Sequence, residues 1–252
     1  MQSNPLIMVA PTGARRGKPD HPQLPITLAE ILATAEACFA AGAPALHLHV
    51  RDDAGDHSLD TGRYQEALQA LAETVPAMRI QITTESAGVF DVPAQLGCLE
   101  AVRPDWASVS IREIARAPEL AARLYGGCAE AGTEVQHILF DRDDVALLQD
   151  WQGKGIVRPD QTSVIFVLGR YTDGQESDPA DLVPFLDAMP ERQDWMVCAF
   201  GRREHECLLA TARAGGTLRV GFENSVTDAD GMPHESNATS VAHLTALLQG
   251  AS

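Results

Sequence analysis

Residues 27–50 read TLAEILATAEACFAAGAPALHLHV, a helical stretch followed directly by a short apolar strand. Thr27 and Glu30 have the spacing of a capping box, and Gly42 follows the helical run at residues 31–41 as a C-cap. The apolar run 45–50 then has the length and composition of a buried strand. A helix that leads this directly into a strand predicts a fold built from βα repeats.

The same alternation continues along the whole chain. Apolar runs predict eight strands, at residues 6–10, 45–50, 79–84, 106–111, 134–140, 163–168, 195–200 and 218–222. Eight βα units need about 250 residues, and the chain has 252. No GxGxxG motif follows the first strand, which argues against a doubly wound open sheet. We therefore predict an α/β fold, a (β/α)8 TIM barrel, as one domain over residues 1–252.

Two later helices and one long loop have signals of their own. Asp178 and Pro179 predict the start of a helix at 182–189, and Ser236 predicts the start of the last helix at 241–248. The charged segment 13–27 after the first strand predicts a loop. Because βα loops carry the active site in barrels, we expect it to be a substrate or lid loop.

Composition narrows the classes of partner. Lys and Arg number 19 against 35 Asp and Glu, a formal charge of −16, which disfavours nucleic acid. The five cysteines are widely spaced without a CxxC pair, so neither a disulfide framework nor a thiolate zinc site is indicated. No apolar run is long enough for a membrane span, and the N-terminus lacks the pattern of a secretion signal. We expect a cytoplasmic protein with small-molecule partners and no membrane partner.

His47 and His49 stand at the end of the second predicted strand. The period of two places both imidazoles on one face, where they are close enough to converge on one ion. Buried imidazoles need partners. The pair is therefore either a hydrogen-bonded core pair or part of a metal site, and a third ligand would decide between them.

Acidic residues follow four other predicted strands: Glu85, Glu113, Asp141 and Glu223. Glu223 is the best placed, because in a strand Arg219, Gly221 and Glu223 share a face and the glycine leaves room for a ligand near the backbone. Two histidines and a carboxylate with an open position are typical of a catalytic zinc that polarises a carbonyl. Arg219 would face the same pocket, or it would form a salt bridge with a strand-end carboxylate.

Several short stretches occur in order along the chain: 10–14 (APTGA), 22–27 (PQLPIT), 47–52 (HLHVRD), 166–169 (FVLG), 219–224 (RVGFEN) and 236–238 (SNA). Together they resemble the β-keto acid cleavage enzyme family. The resemblance runs from residue 10 to about 240 and rests above all on the paired HxHxR and RxGxE blocks.

The resemblance implies a zinc-dependent TIM barrel, usually a homotetramer, that reacts a β-keto acid with acetyl-CoA to give acetoacetate and a new acyl-CoA. By position, His47, His49 and Glu223 match the zinc ligands of the family. Arg219 matches its catalytic arginine, and Thr83 matches a serine or threonine that contacts the substrate.

The chain departs from the family pattern around this site. Asn224 stands where many members have an aspartate, and an amide cannot take a proton at neutral pH. Either Glu85 or Glu113 then serves as the base, or activity is altered or lost. Position 15, where members with an amino substrate place a glutamate, is Arg15. The candidate substrate contacts are Arg15, Thr83, Ser110 and Asn224.

Gly201, Arg202 and Arg203 follow the seventh strand, where barrels often bind phosphate. Our hypothesis is that Arg202 and Arg203 anchor the CoA phosphates, the alternative being solvated loop arginines. Two other functions stay open. One is a zinc-dependent hydrolase that does not use CoA, and the other is a catalytically altered member that binds a keto acid.

Overall fold

Ten strands occur in the computed structural model, which describes residues 5–250. They are β1 (Ile7–Val9), β2 (Ala45–Leu48), β3 (Val50–Arg51), β4 (His57–Ser58), β5 (Arg79–Thr83), β6 (Trp106–Ser110), β7 (Glu134–Leu139), β8 (Val164–Leu168), β9 (Trp195–Ala199) and β10 (Thr217–Val220). Eight of them form a closed parallel barrel in the order β1-β10-β9-β8-β7-β6-β5-β2, with β2 pairing back onto β1. The predicted (β/α)8 barrel is confirmed. Residues 1–4 and 251–252 of the predicted domain lie outside the described residues.

Helices alternate with the barrel strands. They are α1 (Leu28–Ala40), α2 (Thr61–Thr74), α3 (Val92–Val102), α4 (Ile111–Ile114), α5 (Pro118–Ala131), α6 (Arg142–Gly153), α7 (Val183–Ala188), α8 (Glu204–Arg213) and α9 (Asn237–Gly250). Two 3-10 turns, Asp173–Gln175 and Pro179–Leu182, precede α7. None of the helices in the described range is long and apolar enough to cross a membrane.

The helix ends follow their sequence signals with small shifts. The capping box of α1 is present: Glu30 N donates to Thr27 Oγ1 at 3.3 Å, and Thr27 N donates to Glu30 Oε2 at 3.0 Å. The C-cap of α1 is Ala41, and Gly42 is the next residue, at φ +108°. Asp178 caps a 3-10 turn before α7, and Ser236 precedes α9, which starts at Asn237 rather than 241.

All eight predicted strands are present, and their ends lie within two residues of the predicted bounds. The second strand was predicted to run to residue 50, but β2 stops at Leu48. The chain then enters the β3–β4 hairpin, which the sequence pattern did not predict. Most strands are shorter than predicted at their carboxyl ends, because those residues turn into the loops at the barrel mouth.

Two apolar clusters form the core. The larger one packs the outward faces of the strands against the helices. The smaller one includes Met8, Ala45, Ile165 and Met196, on the opposite faces of their strands. Strand alternation puts buried His47, Gln81, Gln136 and Arg219 on that inner side, so polar groups gather within the barrel near its carboxyl end.

Candidate metal and substrate site

Three predicted ligands converge at the carboxyl ends of the strands. Glu223 Oε2 lies 3.5 Å from His47 Nε2 and 3.6 Å from His49 Nε2, and the imidazole centroids are 5.0 Å apart. One ligand atom of each residue lies within 4.8 Å of the other two. Of the four acidic candidates, Glu223 is therefore the one that the fold brings to the two histidines.

A turn, rather than a strand face, brings Arg219 and Glu223 together. The chain leaves β10 at Val220, and Asn224 N donates to Gly221 O at 2.8 Å. Arg219 NH2 then lies 3.4 Å from Glu223 Oε1 across four residues. The expectation that Gly221 leaves space for a ligand was wrong. A Cβ there would lie 2.6 Å from Ala10 O, so the glycine admits neighbouring backbone at φ +140°.

A chain of amides holds the His47 ring. His47 Nδ1 donates to Gln81 Oε1 at 2.8 Å, and Gln81 Nε2 donates to Gln136 Oε1 at 3.1 Å. This hydrogen bond fixes the tautomer that leaves the Nε2 lone pair facing Glu223. Burial lowers the pKa of His47 to about 3, so the ring is neutral at pH 7 and able to bind a metal.

Unpaired buried atoms mark the same place. Neither ring nitrogen of His49 nor Glu223 Oε2 has a hydrogen-bond partner among residues 5–250. Buried polar atoms without partners are costly. Burial opposes ionisation of Glu223, but the Arg219 guanidinium holds its pKa well below the ordinary value. Two imidazoles and a carboxylate suit zinc, so the residues present fit this metal.

Arg219 is buried in the barrel. Its NH2 lies 3.2 Å from Cys198 Sγ in addition to the Glu223 contact. Its Nε has no hydrogen-bond partner within the described part of the chain. The Nε–H of Arg219 is therefore free to bind another group beside the proposed metal ligands.

A small cleft of about 40 Å³ opens at this mouth, lined by Thr12, Gly13, Ala14, Arg15, Arg16, Glu85, Arg170, Gln175, Phe200 and Glu223. The predicted loop 13–27 thus borders it. Arg16 NH1 donates to the carbonyl oxygens of Phe222 at 2.7 Å and Glu223 at 2.9 Å, which ties this loop to the turn after β10. Arg51, from the HxHxR block, donates to Gly13 O at 2.6 Å and so holds the start of the same loop.

The two candidate bases have different surroundings. Glu85 lines the cleft 4.0 Å from Arg170 NH2, and burial raises the pKa of its carboxyl group. Glu113 does not line the cleft. Its oxygens accept hydrogen bonds from Ser86 N at 2.8 Å, Ser86 Oγ at 2.7 Å and Gln95 Nε2 at 2.7 Å. Glu113 therefore holds the segment after β5.

The candidate substrate contacts differ from one another in exposure and in hydrogen bonding. Thr83 Oγ1 accepts a hydrogen bond from Glu85 N at 3.1 Å, and Ser110 Oγ is buried without a partner among the described residues. Arg15 is exposed on the cleft lining and forms no ion pair with any residue between 5 and 250. Asn224 is buried and turns its amide nitrogen toward Glu204 Oε1, 3.2 Å away.

Arg202 and Arg203 lie at the start of α8 in unequal positions. Arg203 pairs with Asp178 and, at 2.7 Å, with Glu206. The side chain of Arg202 is 60% exposed, and its Nε lies 4.0 Å from Glu176 Oε2, a long ion pair. The structure therefore leaves Arg202 much freer than Arg203 to meet an anion.

Four residues of this region went unnoticed in the sequence: Gln81, Gln136, Arg170 and Glu204. Gln81 is paired in register with His47 on the neighbouring strand. It lies two positions before Thr83 and so on the same strand face, and a polar residue at that position was a signal that could have identified it. Glu204 follows Arg203 at the start of a helix, where a glutamate is ordinary. Arg170 sits in a loop and had no local signal.

Fold and site together define a TIM barrel with a candidate metal centre at the strand ends. The sequence profile of the beta-keto acid cleavage enzymes matches residues 5–252. The chain belongs to this family.

Two named relatives match nearly the whole chain. The 3-keto-5-aminohexanoate cleavage enzyme of Fusobacterium nucleatum subsp. nucleatum is 28% identical over 260 residues, covering 98% of this chain and 92% of the relative. The 3-oxoadipate:acetyl-CoA acetyltransferase of Cupriavidus necator is 26% identical over 261 residues, covering 97% of this chain and 88% of the relative.

Solved structures share the fold. Apo ObcA matches with a TM-score of 0.71 at 15% identity, over 91% of this chain but only 62% of the ObcA chain. Type I 3-dehydroquinate dehydratase from Clostridium difficile matches with a TM-score of 0.65 at 12% identity, over 99% and 94%. At these identities the likeness concerns the barrel alone.

Proposed function

We propose that this protein is a zinc-dependent enzyme that reacts a β-keto acid with acetyl-CoA to give acetoacetate and a new acyl-CoA. The observation that carries the proposal is the convergence of His47, His49 and Glu223, the last of which lines a cleft that also holds Arg15, Arg16 and Arg170. Family membership supports the reaction class. The acetyl-CoA acetyltransferase name of the Cupriavidus necator relative supports acetyl-CoA as the second substrate.

Zinc bound by these three residues would act as a Lewis acid that polarises the keto group of the substrate. The arginines of the cleft, Arg15 and Arg170, would bind the carboxylate of the keto acid. Thr83 accepts a hydrogen bond from Glu85 N, which leaves its own hydroxyl hydrogen for a substrate oxygen. Ser110 Oγ offers a second hydroxyl, and Asn224 Oδ1, buried without a partner in the described range, offers an acceptor.

Glu85 is the base that the geometry favours. We assign to its carboxylate the removal of a proton from the carbon between the keto and carboxyl groups. Its place on the cleft and the pKa that burial raises suit a group that takes up a proton from the substrate. Arg219, charged and buried beside Glu223, would stabilise negative charge that develops on the substrate.

The proposal is tested with a panel of β-keto acids and acetyl-CoA, with acetoacetate as the readout. Acetoacetate should form only with both substrates, and chelation should stop it until zinc is returned. Release of acid from an ester or amide without CoA would instead support a zinc hydrolase. Zinc binding with no turnover over the panel would support a member that only binds a keto acid.

A pair of isosteric variants tests the assignment of the base. Glu85→Gln should lower kcat by at least about 100-fold, the usual contribution of a positioned base. Glu113→Gln should mainly lower thermal stability, because that carboxylate accepts three hydrogen bonds. A larger loss of kcat in Glu113→Gln, measured on folded protein, would reverse the assignment.

Three further features stay proposals. We propose that residues 1–252 form one domain, that the protein acts in the cytoplasm, and that it assembles as a homotetramer. Light scattering during size-exclusion chromatography tests the assembly, and a monomeric mass would refute it.

A further inference from the structure

Glu204, the first residue of α8, is a buried carboxylate that the reaction outlined above does not use. Its relative exposure is 1%, although glutamate is rarely buried unless it is paired. No part of α8 lines the cleft, so a role in direct contact with substrate is not indicated. The question is what this carboxylate holds in place.

Its hydrogen bonds point to the turn after β10. Oε1 accepts from Gly221 N at 3.1 Å and from Asn224 Nδ2 at 3.2 Å. Gly221 opens this turn and Asn224 closes it, and Glu223, a proposed metal ligand, lies between them. One carboxylate oxygen therefore binds the turn on both sides of Glu223.

The same contacts fix the orientation of the Asn224 amide. Nδ2 donates to Glu204 Oε1 and, at 3.3 Å, to Arg219 O. Both amide hydrogens are thus used, and Oδ1 is turned away from Glu204. An aspartate at position 224 has no N–H to donate, so its oxygen would face Glu204 Oε1 and Arg219 O without the two hydrogen bonds.

Burial raises the pKa of the Glu204 carboxyl group to about 8, and the nearby Arg16 and Arg219 guanidinium groups offset only part of this effect. Oε1 accepts its two hydrogen bonds whether or not the group is ionised. Arg16 itself donates to the carbonyl oxygens of Phe222 and Glu223. The turn that carries Glu223 is therefore held by Arg16 on one side and by Glu204 on the other.

We propose that Glu204 is a positioning residue whose Oε1 orients Asn224 and the turn that carries Glu223. The inference rests on the proposed function where kcat is measured, but not where zinc affinity is measured. It assigns to α8 a direct influence on the metal centre.

The test compares a variant that removes the acceptor oxygen with one that keeps it. Glu204→Leu and Glu204→Gln are made, and zinc affinity and kcat are measured on protein that elutes as a folded species. Glu204→Leu should lose about 10- to 100-fold in zinc affinity and in kcat, the usual effect of losing a partner that orients a ligand. Glu204→Gln, whose amide oxygen can still accept from Gly221 N and Asn224 Nδ2, should keep most of both. Glu235→Gln, at an exposed position before α9, is the matched control.

The outcomes separate this inference from the proposed function. Glu204→Leu protein that keeps wild-type zinc affinity and kcat would overturn the inference, as would Glu204→Gln protein that loses as much of both as Glu204→Leu. Wild-type protein that binds zinc but converts no keto acid would contradict the proposed function. The inference would then be decided by the zinc affinities of the two Glu204 variants.

Discussion

At the scale of single residues, the site depends on His47, His49 and Glu223 and equally on the side chains that hold them in place. His47 is aimed by Gln81, which is held in turn by Gln136. The HxH and RxGxE blocks in the sequence predicted the three side chains that meet in the structure, with Glu223 as the best placed of four acidic candidates. They could not predict Gln81 or Glu204, because the contacts of these two residues cross between strands or between a helix and a turn.

The first prediction concerns Gln81. Gln81→Leu removes the acceptor for His47 Nδ1 and keeps a similar volume, so the ring loses its fixed tautomer and orientation. Zinc affinity, measured by competition with a chelator, should fall by about 10- to 100-fold. Gln69→Leu, on the exposed face of α2, is the control and should not change it. Equal affinities in the two variants would show that the Gln81 contact does not matter for the metal.

At the scale of elements, the alternation of strands and helices was predictable along the whole chain, but the ends at the barrel mouth were not. Residue 111 was assigned to a strand and instead begins α4, and the β3–β4 hairpin was missed. Local apolar patterns report burial, and they fix strand cores well. Loop conformation at the mouth depends on contacts such as those of Arg51 with the loop after β1, which no local pattern encodes.

The loop after β1 gives the second prediction. Gly13 has φ +65°, and a Cβ there would lie 2.7 Å from Glu223 Cγ. Gly13→Ala should cost about 1–2 kcal/mol in the free energy of unfolding from backbone strain and should also weaken zinc binding by displacing Glu223. Gly132→Ala is matched, because φ is +77° and a Cβ there meets nothing within 4 Å. It should show the stability loss alone, so weakened zinc binding in both variants would contradict the role of the Gly13 contact.

The third prediction concerns the segment between β9 and α8. Arg202→Glu should raise KM for acetyl-CoA, because it reverses an exposed charge that would meet the CoA phosphates. Arg203→Glu should act more through stability, since Arg203 is already paired with Asp178 and Glu206. The KM values are measured by steady-state kinetics with varied acetyl-CoA. An unchanged KM in both variants would remove this segment from CoA binding.

At the scale of the whole molecule, buried neutral histidines link stability to pH. His137 is the simplest case, because it lies outside the site and its Nε2 donates to Gln161 O at 3.1 Å. Burial lowers its pKa to about 4. Below about pH 6.5 the unfolded chain takes up a proton at this residue and the folded chain does not. The stability that His137 contributes is therefore complete above pH 6.5 and is lost as the pH falls toward 4.

The fourth prediction follows from that linkage. Between pH 7.5 and pH 5, His137 alone should remove about 2 kcal/mol from the free energy of unfolding. Urea unfolding of wild type and His137→Gln at both pH values should show this difference as a smaller pH dependence in the variant. The same pH dependence in the two proteins would mean that His137 is protonated in the folded state.

The claim on which the account depends is that His47, His49 and Glu223 hold one zinc ion. The most direct measurement is elemental analysis of protein purified without a metal-affinity step. Wild type should contain one zinc per chain, and His49→Ala should contain almost none. His243→Ala, at an exposed histidine on α9, should keep its zinc. Wild-type protein without a transition metal, or His49→Ala with a full complement of zinc, would contradict the account.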